Sequence, residues 1–164
     1  MILIALGSNL PHPIYGMPRQ VCDRALSIMA ASGFTIISRS RWYRSAPVPA
    51  SEQPDFINGL VSVATVLDPP KLMGKLHQIE NQFGRKRSFS QTARVLDLDL
   101  IAYDENVQEE PAWPVLPHPR MANRAFVLYP LLDIAPDWTH PKLGCDLNSL
   151  ISGLSGEQIC VPDD

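Results

Sequence analysis

The chain opens on a continuous apolar run, Ile2 to Leu6, followed by Gly7-Ser8-Asn9. This predicts a buried strand and then a turn. Between residues 17 and 32, Val21, Ala25, Ile28 and Met29 recur at helical spacing, so an amphipathic helix is expected, stopped by Gly33. The segment FTIISRSRWYR (34–44) starts with mixed alternation and predicts one long strand. SAPVPASEQPD (45–55) holds three prolines and no helical period, which predicts a loop. It is long for a hairpin connection and is therefore a candidate for function. Phe56 to Leu67 is β-rich. Asp68-Pro69-Pro70 then supplies a cap and a proline first turn for a helix carrying Leu72, Leu76, Ile79 and Phe83. A basic loop (85–94) leads into a strand from Val95 to Tyr103. Beyond Asp104-Glu105-Asn106 the chain is rich in loops, with helices expected over 123–132 and 146–152. The order β-α-β-β-α-β plus a C-terminal extension predicts an α+β, ferredoxin-like antiparallel sheet with helices on one face.

Composition narrows the picture. The 164 residues suit one domain, and 45% hydrophobic content excludes a disordered chain. No apolar run approaches the ~20 residues of a membrane-spanning helix, and the first one is too short for a signal peptide. Cys22, Cys145 and Cys160 show no ligand spacing. No disulfide framework is expected, and a cytoplasmic setting fits. Net charge is −3, which gives no argument for a nucleic-acid partner. The 16 prolines are about twice the usual ~5%, but they are interleaved with Trp, Leu, Phe and Tyr and so predict stiff, ordered loops.

The distribution of charge says more than its sum. Arg85, Lys86, Arg87 and Arg94 lie in a stretch without acids, and ten of the fourteen basic residues are arginine. Arginine presents a planar fork of donors that matches phosphate oxygens, as lysine does not. Directly after this cluster comes Val95-Leu96-Asp97-Leu98-Asp99-Leu100. In a strand, Leu96, Leu98 and Leu100 share the core face and the two aspartates share the other, roughly 6.6 Å apart at ~3.3 Å per residue. Aspartate is depleted in strands, and two like charges on one face repel unless a cation lies between them. Two readings are open: carboxylates paired with nearby arginines, or ligands for Mg²⁺ shared with substrate phosphates. Arginines for phosphate beside carboxylates for metal favour the second, a phosphoryl-transfer constellation.

Further polar groups cluster at His118, held between Pro117 and Pro119, and at Arg120 and Arg124. His118 reads equally as a phosphate donor or as an ordered surface residue. His77 and Glu80, three apart on the second helix, read by default as a solvated face. There is no GxxxxGK[ST] and no GxGxxG, so a nucleotide would be held by arginine and metal rather than by a glycine cradle.

The segments GSN (7–9), YRSAPVPASEQPDFIN (43–58), IENQFGRKR (79–87), ARVLDLDL (93–100) and PHPRMANRAFVLYPLLDIAP (117–136) resemble the 6-hydroxymethyl-7,8-dihydropterin pyrophosphokinase family of folate biosynthesis. The matches run in family order over nearly the whole chain, as one domain over residues 1–164. The resemblance implies transfer of pyrophosphate from ATP to the hydroxymethyl of the reduced pterin, with release of AMP. It implies two Mg²⁺ ions on Asp97 and Asp99, and catalytic roles for these and for Arg85 and Arg94 in a mobile arginine loop. Arg87, Arg94, His118 and Arg124 would contact the triphosphate, and His77, Glu80 and Leu100 the nucleotide. The pterin would lie between Phe56 and Phe126, with Asn58 on its polar edge and Ser45, Ala46 and Val48 around it. Without the family pattern, Phe126 reads first as core packing. A monomer is expected, with no nucleic acid and no membrane as partner.

Departures from the family concern the adenine side. SFSQTA (88–93) replaces a segment where the family often has Trp, Asn or Gly-Pro, which leaves Phe89 as a possible stacking residue. Trp113 and Val115 stand where some members offer Arg and Thr. Two other classes fit part of the pattern: a binding module of the same fold without chemistry, and another DxD metal-dependent nucleotidyl or glycosyl transferase.

Overall fold

The computed structural model describes residues 1–84 and 93–164. Strand β1 (Ile2–Ser8), helix α1 (Pro18–Ala31), strands β2 (Thr35–Arg39), β3 (Tyr43–Ser45) and β4 (Phe56–Ala64), helix α2 (Pro69–Gln82) and strand β5 (Asp97–Tyr103) follow in that order. A 3-10 turn (Met121–Asn123), helices α3 (Ala125–Ile134) and α4 (Leu147–Ser152), and strand β6 (Cys160–Pro162) come after them. The strands form one antiparallel sheet, β5-β1-β4-β3-β6, with β2 beside β4. Among the described residues no helix is long and apolar enough to cross a membrane.

The apolar run of β1 lies inside the sheet, between β4 and β5, and is buried on both faces. Gly7 and Ser8, expected in a turn, continue the strand: Gly7 pairs with Asn58 on one side and Asp97 on the other. The long strand expected over 34–44 is two strands. At Ser40 the hydroxyl accepts the Leu60 N–H at 2.9 Å, and the next N–H, of Arg41, turns to the Asp133 carboxylate at 3.1 Å. A side-chain acceptor inserted in the ladder and a donor drawn out of it break the pairing there.

Local signals set the helix ends. Asp68 accepts the Lys71 N–H at 3.0 Å and starts α2 ahead of its two prolines. Gly33, at φ +96°, takes the left-handed position that follows α1.

On one face of the sheet, Ile4, Leu6, Val61, Leu98 and Leu100 pack against Val21, Ala25 and Met29 of α1 and Leu72, Leu76 and Ile79 of α2. Each fully buried aliphatic side chain contributes roughly 1.5–3 kcal/mol. On the other face, Leu3, Leu60 and Ile101 meet Val127, Leu128 and Leu131 of α3 and Leu147 and Leu150 of α4. The expectation of helices on one face therefore describes α1 and α2 only. A strand as apolar as β1 needs cover on both sides, and the largely apolar α3 provides the second layer.

Candidate active site

The alternation of β5 places Leu98 and Leu100 in the α1–α2 core and turns Asp97 and Asp99 to the face that α3 covers. Asp97 lies opposite Gly7, and Asp99 opposite Ala5. Here the face becomes polar, and a cavity of about 200 Å³ opens between the ends of the strands, the 45–53 loop and the start of α3. Ser45, Ala46, Val48, Phe56, Asn58, Arg94, Asp97, Asp99, Arg124 and Phe126 all line it, so ten of the predicted site residues come together. Arg85 and Arg87, like Phe89, lie outside the described residues.

Arg94 Nη1 is 2.7 Å from Asp97 Oδ1, and Arg124 Nη1 is 3.7 Å from Asp99 Oδ2. The arginine-paired reading of the two acids thus has direct contacts. Among the described residues no group of three or more His, Cys, Asp or Glu side chains could enclose a metal. The donor set nevertheless fits Mg²⁺, which takes one or two carboxylates and completes its shell with phosphate oxygens and water. Burial first, then the charge of Arg120, pulls the Arg124 guanidinium below its ordinary range, while Asp99 and Asp97 oppose that shift.

The floor is shaped by small groups. Asn58 donates from Nδ2 to Ser45 Oγ at 2.7 Å. A Cβ on Gly7 would lie 3.0 Å from Asn58 Oδ1, so only glycine leaves this amide its room without a shift of its neighbours. One of the two amide N–H groups is thus given to Ser45, and Oδ1 is the acceptor of the same side chain. Phe126 is half-buried: it packs against the α3 core and lines the cavity, and the Arg124 guanidinium carbon lies 5.3 Å from its ring centre. The core reading holds, and the same ring also forms part of the cavity wall.

Sequence reasoning missed Asn9. Its buried side chain accepts the Arg94 N–H at 2.7 Å through Oδ1 and donates from Nδ2 to Gln53 Oε1 at 3.3 Å and to the Pro54 carbonyl at 3.1 Å. Its own N–H reaches the Arg94 carbonyl at 3.0 Å. One amide therefore joins the arginine segment to the 45–55 loop. Gly7 and Gln53, which the sequence did not single out, also line the cavity, as does Arg120 of the polar cluster with His118 and Arg124. For Gly7 the signal is the small residue directly after the apolar run Ile2 to Leu6.

Four predicted residues sit elsewhere. Glu80 is fully buried, not on a solvated face, and its Oε1 accepts the Leu98 N–H at 2.8 Å. It holds the peptide between the two aspartates. Leu100 is buried in the core, so its side chain is turned away from the cavity that Asp97 and Asp99 face. His77 lies on α2, its ring 6.1 Å from that of Trp113. His118 is tied to β5 by its N–H on the Ile101 carbonyl at 2.8 Å, and its Nδ1 accepts the Arg120 N–H at 3.2 Å. Burial, then Arg124 and Arg120, lowers its pKa to about 4. It is a neutral imidazole at pH 7 with Nε2–H as its donor.

A strand-mounted pair of carboxylates among arginines, facing an aromatic and amide pocket, is an arrangement suited to phosphoryl transfer. The chain matches the 7,8-dihydro-6-hydroxymethylpterin-pyrophosphokinase family over residues 3–136 and belongs to it. It is 40% identical over 149 residues to the 2-amino-4-hydroxy-6-hydroxymethyldihydropteridine pyrophosphokinase of Synechocystis sp., covering 91% of this chain and 73% of that one. With the enzyme of the same name from Pseudomonas aeruginosa it shares 38% over 159 residues, 96% and 94% of the two chains. Its fold is similar to the HPPK-DHPS wild type of Plasmodium falciparum, with a TM-score of 0.70 at 13% identity over 92% of this chain. This chain spans 42% of the length of that structure. The activity is that of the family: ATP-dependent transfer of a pyrophosphoryl group to hydroxymethyldihydropterin in folate biosynthesis.

Proposed function

We propose that the reaction takes place in the cavity between β5, the 45–53 loop and α3, with the residues there in distinct roles. The pterin lies between Phe56 and Phe126, where a flat heterocycle gains from aromatic contact. Asn58 Oδ1 accepts from its amino edge, and the backbone around Ser45, Ala46 and Val48 closes the pocket. Asp97 and Asp99 would hold two Mg²⁺ ions together with the ATP phosphates. Bound there, these ions would neutralise phosphate charge and make the transferred group more electrophilic.

The pterin hydroxyl attacks the β-phosphorus in line and releases its proton to solvent. The bond from that phosphorus to the oxygen bridging it to the α-phosphate breaks, and that oxygen leaves with AMP. Arg94 and Arg124 orient the phosphates and stabilise the charge that develops on them, with Arg85 and Arg87 assigned to the same work. His118 donates from Nε2 to a phosphate oxygen, while Glu80 keeps the Asp97–Leu98 peptide in place. In such reactions positioning and charge neutralisation supply most of the rate. His77, beside Trp113, belongs to the nucleotide side.

The observation that carries this reading is the joining of Asp97, Asp99, Arg94 and Arg124 with Phe56, Asn58 and Phe126 in one cavity. The two core clusters lie on either side of one sheet, which supports one domain over residues 1–164, and a monomer is proposed as its working unit. The strand order β5-β1-β4 with β2 and β3 beyond, around two helices on one face, supports a ferredoxin-like core to which α3, α4 and β6 are added. The test follows the nucleotide product with ATP and the reduced pterin. AMP in a one-to-one ratio to pyrophosphorylated pterin is expected, and ADP would overturn the assignment.

A further inference from the structure

Helix α3 begins at a position that cannot cap itself. Its N-cap residue is Arg124, which makes no side-chain capping bond and directs its guanidinium toward Asp99. An N-cap serine or aspartate would satisfy one of the first N–H groups of the helix, and arginine has no acceptor to do so. The acceptor comes from 33 residues further along the chain. Gln158 Oε1 takes the Ala125 N–H at 2.9 Å, and Gln158 Nε2 donates to the Asn123 carbonyl at 2.9 Å. One amide thus holds the peptides on both sides of Arg124 and fixes the turn from which Phe126 enters the cavity.

The neighbouring residues of the same segment reach the opposite wall. The Ile159 carbonyl accepts the Ala46 N–H at 3.3 Å, and Cys160 pairs with Ser45 in the β3–β6 ladder. Beyond β6, Asp163 receives the Arg44 guanidinium at 3.0 Å and donates its N–H to the Trp42 carbonyl at 2.9 Å, so the segment is anchored at its far end. Three consecutive residues therefore touch the 45–46 wall and the 124–126 wall of one cavity.

We propose that Gln158 is a positioning residue for pterin binding: with Ile159 and Cys160 it sets the separation of the two walls. This rests on the placing of the pterin between those walls. An amide that only stabilised α3 would, when removed, lower thermal stability and leave the affinity of folded enzyme for substrate unchanged. A residue that sets the gap changes the affinity itself.

The experiment compares Gln158→Met, which keeps length without either hydrogen-bonding group, with Gln158→Glu, which keeps the acceptor for Ala125 and loses the donor to Asn123. Steady-state KM for 6-hydroxymethyl-7,8-dihydropterin and for ATP, kcat and Tm are measured for each, with Phe126→Ala as reference. The expected result is a pterin KM raised about tenfold in Gln158→Met and less in Gln158→Glu, with kcat falling by less than the rise in KM. An unchanged pterin KM in Gln158→Met beside a raised one in Phe126→Ala would overturn the role of Gln158 alone. An unchanged KM in Phe126→Ala would overturn the wall assignment beneath it. Should Gln158→Met not fold, an unchanged pterin KM in Gln158→Glu is the overturning result.

Discussion

Two arginine–aspartate pairs in this molecule are alike in chemistry and sit in opposite surroundings. Asp133, on α3, receives the Arg41 Nε and Nη2 at 3.3 and 3.0 Å, the Arg41 N–H at 3.1 Å and the Tyr43 hydroxyl at 3.0 Å. Both carboxylate oxygens are enclosed by donors from the break between β2 and β3, so the pair clasps that break to α3. Arg94 and Asp97 meet at 2.7 Å on the wall of the cavity. There the backbone of Arg94 is held by Asn9, while the guanidinium and the carboxylate face the space a substrate would fill. A fixed main chain with side chains aimed into a cavity can exchange partners, protein for phosphate and metal. A carboxylate ringed by donors from its own fold gains nothing from exchange. The two pairs differ in their surroundings: Asp133 is ringed by Arg41 and Tyr43, whereas Arg94 and Asp97 line a cavity.

The comparison breaks most sharply at Asp97. In Asp97→Ala the AMP-forming rate is expected to fall by at least about a thousandfold, the scale of losing transition-state charge stabilisation. Tm should stay near that of the parent, because the carboxylate faces a cavity. Near-normal turnover in a coupled AMP assay would remove the metal role and return Asp97 to an arginine partner only.

Asn9 comes next in size. Asn9→Ala removes the acceptor for the Arg94 N–H and the donor to the 45–55 loop while leaving Arg94 and Asp97 themselves in place. A fall in kcat of roughly tenfold to a hundredfold is expected, consistent with a small misplacement of a reacting group. Buried groups left without partners cost about 1–3 kcal/mol, so Tm should fall as well. The two effects separate in Asn9→Asp, which keeps an acceptor for Arg94 and loses the amide donor. A kcat in Asn9→Asp as low as in Asn9→Ala would show that the contact to the 45–55 loop, rather than the hold on Arg94, matters for rate.

These residues also show where the sequence was readable. The Leu/Asp alternation of 96–100 displayed both faces of β5, because period-two patterning records burial directly. Asp68 and Gly33 marked helix ends through bonds made within a few residues. Asn9 and Gln158 act through single amides reaching 85 and 33 residues along the chain, and no local pattern records such contacts. Glu80 misled for a related reason: an acid beside an apolar stripe normally faces water, and the edge of β5 that needed its oxygen was not visible from the helix. The second helical layer was legible in principle, since β1 is apolar at every position from Ile2 to Leu6. The break at Ser40–Arg41 was not, since it depends on Asp133 being brought across from α3.

The smallest expected effect tests the other side of the comparison. Burial alone would raise the pKa of Asp133, but the hydrogen bonds from Arg41 and Tyr43 outweigh it and hold the carboxyl below its ordinary value of 3.8. The folded state therefore binds this proton less readily than the unfolded chain does. The resulting stability is complete above the unfolded pKa, near pH 4, and is lost as pH falls through the depressed folded value. Because Arg41 is exposed, water and salt screen the pair, and its worth is modest. Asp133→Asn should lower Tm by about 2–4 °C at pH 7, the scale of ~1 kcal/mol for a chain of this size. At pH 7 its kcat should stay within about twofold of the parent, in contrast with Asp97→Ala. Differential scanning calorimetry of both proteins from pH 7 to pH 2.5 isolates the contribution, since the other carboxylates cancel in the difference. The gap in Tm should close as pH falls below 4. A gap that does not narrow at all between pH 4 and pH 2.5 would mean that Asp133 stabilises the break by shape rather than by charge, and the contrast between the two pairs would lose its electrostatic basis.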